Sequence, residues 1–162
     1  MSAPPSAKIM VSIRLKVAPA VAFDLFTAKV DDWWRKGPKY RMRADGGGHL
    51  RFEPGVGGRL VEIYDEAAGD LFEIGRILVW RPGERLVFEW RQPNFTAEQV
   101  TEVDIGFAAV EGGTRLTLEH RGWDTLPADH PARHGMEDRR FLLIHARWWE
   151  DQLDALRSAS DE

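Results

Sequence analysis

Residues 54–90 constrain the fold of this chain more than any other stretch. Three short apolar runs are separated by two turns in the sequence PGVGGRLVEIYDEAAGDLFEIGRILVWRPGERLVFEW. Residues 66–70 make the first turn, and residues 81–84, with Pro82 and Gly83 in adjacent positions, make the second. Because short turns of this kind join antiparallel neighbours and set their register, the segment is predicted to be an antiparallel meander.

Apolar patterns outside the meander predict the remaining elements. Alternation of apolar and polar residues is typical of half-buried strands. The strands predicted in this way lie at residues 9–17, 40–43, 49–52, 99–110 and 114–120. Two short helices are predicted at residues 20–26 and 31–34, and one long helix at residues 136–157.

This order of elements predicts an α+β fold. We expect a curved antiparallel sheet of about six or seven strands that grips the long C-terminal helix, with the two short helices after the first strand. The helix carries an apolar stripe at intervals of three and four residues, formed by Leu142, His145, Trp149, Leu153 and Leu156. A straight helix leaves space against a curved sheet, so a cavity is expected between them.

Composition and charge narrow the function classes. The 162 residues are expected to form a single domain, with an ordered core at about 9–157. The net charge of −4 argues against a nucleic-acid partner. The absence of cysteine excludes disulfides and predicts a cytoplasmic location. No apolar leader is visible, and no run approaches the roughly 18 apolar residues of a membrane span, so no membrane insertion is expected.

Several catalytic chemistries lack their residues. Serine occurs only at positions 2, 6, 12, 158 and 160, so a GxSxG nucleophile motif is absent. The phosphate-binding motifs GxxxxGK(S/T) and GxGxxG are absent as well. His130 and His134 have helix-like spacing, but Pro131 lies between them and no carboxylate motif accompanies them. We therefore expect neither a metal nor a cofactor.

Four segments resemble a known family. They are PGVGGRLVE at 54–62, GRILVWRPGERLVFEW at 75–90, GGTRLTLEHRGW at 112–123 and WWEDQLDALR at 148–157. In this order they resemble the branch of the START-like, helix-grip (SRPBCC) superfamily that is named after the heat-shock protein 90 ATPase activator. One position departs from that branch, which usually has Gly where this chain has Trp148. The resemblance implies a ligand-cavity fold but no particular reaction.

The hairpin at residues 59–76 suggests a polar pair inside the cavity. With the turn at 66–70, Glu62 faces Ile74, and Arg76 becomes a diagonal neighbour of Glu62 on the same face. If this face lines the cavity, the two form a buried ion pair or a polar anchor for a ligand. The alternative parity turns Ile77 and Val79 inward and leaves Arg76 in solvent.

Nine side chains are candidates for the cavity wall. They are Trp33, Glu62, Phe72, Arg76, Trp90, His120, Trp123, His145 and Trp149. A cavity histidine could bind a ligand or exchange protons near neutral pH, whereas a core histidine would only bond to the backbone. The tryptophans could equally be core packing, and both interpretations stay open.

These candidates lead to one preferred function and two alternatives. The preferred function is binding of a small, mostly apolar or aromatic ligand between sheet and helix, with a second copy of the chain in a homodimer as an optional partner. The first alternative is a cyclase or dehydratase-type enzyme that uses Glu62, Arg76 or His120 for acid–base chemistry. The second is a chaperone regulator that acts through protein interaction. No catalytic residue is assigned.

Overall fold

The described residues form seven strands and three helices, in the predicted order except for the strand predicted at 40–43. The computed structural model describes residues 8–37, 39–43, 48–123, 126, 130 and 138–161. Its elements are β1 (Lys8–Leu15), α1 (Pro19–Thr27), α2 (Val30–Trp33), β2 (His49–Phe52), β3 (Arg59–Asp65), β4 (Asp70–Arg81), β5 (Arg85–Trp90), β6 (Thr101–Val110), β7 (Gly113–Arg121) and α3 (Asp138–Ser160). The predicted α+β helix-grip class is confirmed.

All seven strands form one antiparallel sheet. Their order is β1-β7-β6-β5-β4-β3-β2, so the chain from β2 to β7 is a continuous meander and β1 closes onto the last strand. Gly69 and Gly83 lie in the two predicted turns with φ values of 70° and 74°. Glycine adopts this left-handed conformation without steric cost, which explains why the hairpins turn at these points.

The long helix packs on the sheet through the predicted stripe. Trp149, Leu153 and Leu156 are fully buried, while Leu142 is only partly buried at the edge of the same cluster. The two short helices add Phe23 and other aromatic rings to this core. The strip of apolar residues on α3 is thus a core-facing surface, as its spacing indicated.

Residues 40–43 do not form the predicted strand. The backbone N–H groups of Tyr40 and Arg41 both donate to the Gly37 carbonyl at 3.0 Å, which closes a turn. The guanidinium of Arg41 is completely buried and donates to three backbone carbonyls and to the carboxylate of Asp31. Side-chain hydrogen bonds therefore hold this segment where strand pairing was expected.

The predicted register of the β3–β4 hairpin is wrong. Glu62 pairs with Phe72 instead of Ile74, because the pairing of these two strands contains irregular steps. After these steps the parity changes, so Ile77 points into the core and the side chain of Arg76 is 54% exposed. Glu62 faces inward as predicted, but the expected pair of Glu62 with Arg76 does not form.

Some predictions concern parts of the chain that the structure does not describe. His134 of the histidine pair and residues 136–137 of the predicted helix lie outside the described residues. Among the helices described, none is long and apolar enough to cross a membrane.

Candidate functional site

A cleft of about 1040 Å³ opens beside α3. Residues 39–42 form one wall, and Trp90 at the end of β5 forms another together with residues 92–94. The third wall comes from α3 between Phe141 and Asp151. The cleft therefore lies where the irregular segment after α2, the end of a central strand and the long helix meet.

Indole rings form the inner wall of this cleft. Trp90 is 2% exposed and stacks on Trp34, with the ring centroids 5.9 Å apart. Trp148 meets both rings edge-on at 5.9 and 6.2 Å, and Trp149 packs against the same pair from inside. Of these four indoles, Trp90 and Trp148 reach the cleft. The tryptophans are thus both core packing and cleft wall.

Glu62 supports the wall without lining the cleft. Its side chain lies on β3 and is 1% exposed, and both carboxylate oxygens accept the backbone N–H of Met42, at 2.9 and 3.2 Å. Burial raises the pKa of Glu62, although the Met42 hydrogen bond and the charge of Arg41 partly oppose this shift. Met42 lines the cleft, and the hydrogen bonds from its backbone N–H to Glu62 fix its position. Glu62 therefore supports the cleft wall indirectly.

Both ring nitrogens of His120 are hydrogen-bonded to protein groups. The Thr101 hydroxyl donates to the Trp90 carbonyl at 3.0 Å, so it accepts from Nε2 of His120 at 2.7 Å. The indole N–H of Trp149 donates to Nδ1 of His120 at 3.0 Å. This network fits only a neutral imidazole that carries its proton on Nε2.

Burial reinforces the neutral state of His120. The side chain is fully buried, and burial, followed by the neighbouring His145, lowers the pKa of His120 well below its ordinary value. Both ring nitrogens are already hydrogen-bonded to protein groups. His120 is therefore a structural element of the wall and does not present a free nitrogen to the cleft.

The structure brings five of the nine predicted site residues together. Trp90 and His145 line the cleft. Behind them the rings of His120, Trp123 and Trp149 are in contact, with the centroid of His145 lying 5.4 Å from His120 and 4.9 Å from Trp123. Three of the predicted tryptophans and both predicted histidines thus form one cluster.

The other four predicted residues lie outside this cluster and do not line the cleft. Trp33 is buried and donates to the Leu25 carbonyl at 2.8 Å, and Phe72 packs partly buried against the core. Glu62 acts through Met42, as described above. Arg76 lies at the surface beside Glu73 with an N–O distance of 3.5 Å, so it is excluded from the cavity.

Two parts of the cleft wall were not predicted. Trp148 donates its indole N–H to the Lys39 carbonyl at 2.9 Å and so ties α3 to the segment at 39–42. The spacing of Phe141, His145 and Trp148 on α3 is the sequence signal that could have identified this helix face. Residues 39–42 carried no comparable signal because they resembled a strand.

The rim of the cleft has mixed charge. Lys39 and Asp151 face each other across the mouth with an N–O distance of 4.0 Å, and Arg147 and Glu150 line the same edge. Over the described part of the chain, no group of three or more metal-ligating side chains is present. The site is therefore an aromatic cleft with a polar rim.

Comparisons with known proteins agree with this fold. Protein MLL2253 of Mesorhizobium loti is 17% identical, with 95% of this chain and 96% of that chain covered and a TM-score of 0.65. The Aha1 dimer of Colwellia psychrerythraea is 16% identical, with 94% of each chain covered and a TM-score of 0.64. PFC0360w of Plasmodium falciparum, described as an HSP90 activator, is 19% identical, with 94% and 95% covered and a TM-score of 0.65.

Sequence comparison supplies the family. No curated protein sequence matches this chain. The family model described as "Activator of Hsp90 ATPase homolog 1-like protein" matches residues 16–160. That match spans most of the chain, including α1 through α3 and every strand after β1. The chain therefore belongs to the Activator of Hsp90 ATPase homolog 1-like family, within the START-like superfamily.

Proposed function

We propose that this protein binds a small, mostly apolar, ring-containing ligand in the cleft. The observation that carries the proposal is the aromatic inner wall of an opening of about 1040 Å³. Typical small-molecule sites have volumes of about 300–1,000 Å³, are largely apolar and carry few polar groups. Trp90, Trp148 and Met42 provide the apolar surface, and the charged rim keeps a polar edge toward solvent.

Binding is favoured over the cyclase or dehydratase-type alternative because the predicted acid–base groups do not meet. His120 has both ring nitrogens hydrogen-bonded, and Glu62 is occupied by the Met42 N–H. Arg76 is on the surface. A general acid or base must reach the ligand directly or through one water, and these three side chains do not line the cleft.

A ligand panel tests the proposal directly. We expect ring-containing apolar compounds to change the intrinsic tryptophan fluorescence and to raise the thermal unfolding temperature, because they bind only the folded state. Trp148→Leu removes one ring of the wall and should weaken binding. Trp80→Leu is the matched control, since Trp80 is also half-buried but packs against Phe23 away from the cleft. Absence of both signals across the panel would refute ligand binding.

A chaperone-regulator role is the second candidate. It is supported by the description of the family and by the HSP90 activator among the similar structures. The test is the ATPase rate of an Hsp90 protein with and without this chain, with Trp148→Leu as a variant. Stimulation that survives this substitution would assign the activity to a surface other than the cleft.

Assembly and location belong to the same proposal. We propose a cytoplasmic, single-domain protein that is able to form a homodimer. The dimeric Colwellia structure supports the homodimer, and the lack of cysteine suits a reducing compartment. Sedimentation velocity over a concentration series would measure the assembly state.

A further inference from the structure

The indole N–H groups around the cleft differ in whether they have an acceptor. Four of them donate to a protein atom at 2.8–3.0 Å. These four belong to Trp33, Trp34, Trp148 and Trp149. Trp90 and Trp123 are also buried, but their Nε1 atoms have no hydrogen-bond partner within the described structure. Of these two, Trp90 lines the cleft and Trp123 does not.

An unpaired N–H at this position is costly to the protein alone. A buried donor loses its water and gains nothing in exchange, so most such groups in folded proteins find an acceptor. Trp90 is 2% exposed and held by rings on several sides, which prevents it from simply turning outward. An acceptor brought in by a ligand would remove this cost.

We propose, on the basis of the proposed function, that the Trp90 indole N–H determines ligand specificity. The ligand class is an aromatic compound with a carbonyl oxygen attached to its ring system. The ring packs on the indoles of the wall, and the carbonyl accepts the Trp90 N–H. This adds a polar requirement to a site that is otherwise selective only for apolar shape.

Access to the Trp90 N–H requires movement of the side chains around it. The Nε1 atom is covered by protein atoms. Met42 and Gln92 share the cleft wall with Trp90, and both have flexible, unbranched side chains. The partly buried Trp148 ring closes the same region. Rotation of these side chains would admit an oxygen atom while the strand and helix backbones stay in place.

A pair of ligands that differ only in the acceptor tests this inference. 9-Fluorenone and fluorene have nearly the same planar shape, but fluorenone has a carbonyl where fluorene has a methylene. Dissociation constants are measured by calorimetry with protein added to dilute ligand. We expect fluorenone to bind wild-type protein roughly fivefold more tightly, in line with one neutral hydrogen bond. Fluorene is the more apolar compound, so hydrophobicity alone predicts the reverse.

Two variants assign the preference to the Trp90 donor. Trp90→Phe keeps an aromatic ring without the N–H, so the ratio of the two dissociation constants should fall to about one or below. Trp148→Phe removes a cleft indole whose N–H is already bonded to the Lys39 carbonyl. It should weaken both ligands and retain their ratio. Trp80→Phe, outside the cleft, should change neither constant.

The outcomes separate this inference from the proposed function. Equal binding of the two compounds by wild-type protein overturns the role of Trp90 but leaves ligand binding intact. A preference for fluorenone that persists in Trp90→Phe also overturns the role of Trp90, because a different donor must then hydrogen-bond to the carbonyl. If neither these compounds nor the wider panel bind, the proposed function itself fails. If Trp90→Phe does not fold, equal binding of the two compounds by wild-type protein still overturns the inference. The assignment to Trp90 then comes from the indole N–H resonance of Trp90 in wild-type protein, which should shift with fluorenone more than with fluorene, and an equal shift overturns it.

Discussion

His120 shows how a residue type that is typical of catalysis can serve structure alone. Its ring accepts from Trp149 and donates to Thr101, whose hydroxyl continues to the Trp90 carbonyl. Each proton in this hydrogen-bond network has one acceptor, so the network needs no charge and no water. These hydrogen bonds link β5, β6, β7 and α3 at the point where the cleft begins.

The stability of the protein should fall as the pH drops below about 6.5. The folded pKa of His120 lies well below the unfolded value of about 6.5, so the unfolded chain takes up a proton that the folded chain refuses. The stabilisation is complete above this unfolded pKa and is lost as the pH falls toward the folded one. Urea unfolding between pH 8 and pH 5 measures the effect, and His120→Gln should show a smaller loss over this range.

Removing the acceptor of His120 should destabilise the protein at neutral pH. Thr101→Val has nearly the same shape but leaves the Nε2 proton buried and unpaired, at a cost of about 1–3 kcal/mol. The matched control is Thr117→Val, because Thr117 is a partly buried threonine on the same sheet whose hydroxyl lies 3.4 Å from that of Ser12 at the surface. Equal losses in the two variants would contradict the hydrogen-bonded chain.

The pH dependence of stability that Glu62 contributes is opposite to that of His120. Burial raises its folded pKa above the unfolded value, so its contribution to stability is present at low pH and is lost as the pH rises through the folded pKa. Glu62→Gln retains an oxygen for the Met42 N–H and removes the charge. We expect this variant to gain stability relative to wild type as the pH rises above about 4.5. If the difference in unfolding free energy between this variant and wild type stays constant over the pH series, ionisation of Glu62 does not destabilise the folded protein.

The sequence could predict which way Glu62 points but not what it contacts. The hairpin pairing correctly predicts that Glu62 lies inward, whereas the irregular steps in that pairing turn Arg76 outward. One irregular step directly follows Leu60, which pairs with Gly75, so this isolated strand glycine is a sequence signal that the predicted register did not use. The contact of Glu62 with Met42 joins residues 20 positions apart through a segment without regular structure.

At the scale of elements, the long helix was the most predictable part. Its intervals of three and four residues identify Trp149, Leu153 and Leu156 as core, and all three are fully buried. The paired turns were equally predictable because their glycines have a defined backbone role. Residues 40–43 were not, because the buried Arg41 occupies a position that strand alternation assigns to a polar outward side chain.

The packing of α3 can be measured by truncating one residue of its stripe. Leu153→Ala should lower the free energy of unfolding by about 2–5 kcal/mol, since it creates a cavity in a fully buried position. Leu143→Ala is the control on the same helix, where the side chain is 56% exposed, and it should cost less than about 0.5 kcal/mol. Chemical denaturation that gives similar values for both variants would show that α3 is peripheral.

At the scale of the whole molecule, the packing of the tryptophan rings determines how much of the space between sheet and helix is filled. The sequence predicts a cavity between sheet and helix, but Trp34, Trp90, Trp123 and Trp149 are all buried and occupy much of that interior. A cleft of about 1040 Å³ remains at their edge, between α3 and residues 39–42. The fold could therefore be predicted from the order of elements, whereas the shape of the cleft depends on how individual large rings pack.

Trp148 gives a way to change this shape. The resemblance noted in the sequence implies Gly at this position, whereas the Trp148 ring closes the cleft against Trp34, Trp90 and Tyr40. Trp148→Gly should open space toward the interior and shift the preference from naphthalene toward the larger pyrene. The variant should also be less stable, because the ring contacts are lost and a glycine within a helix costs about 1 kcal/mol relative to alanine.

Trp148→Ala separates the two effects of this substitution. It removes the same ring but keeps a good helix former, so it should show the same shift toward pyrene with a smaller loss of stability. The ratio of the two dissociation constants is compared in wild type and in both variants. If the ratio stays unchanged in both, the ring of Trp148 does not limit the size of the ligand. The volume that receives the ligand would then lie outside the space that this ring closes.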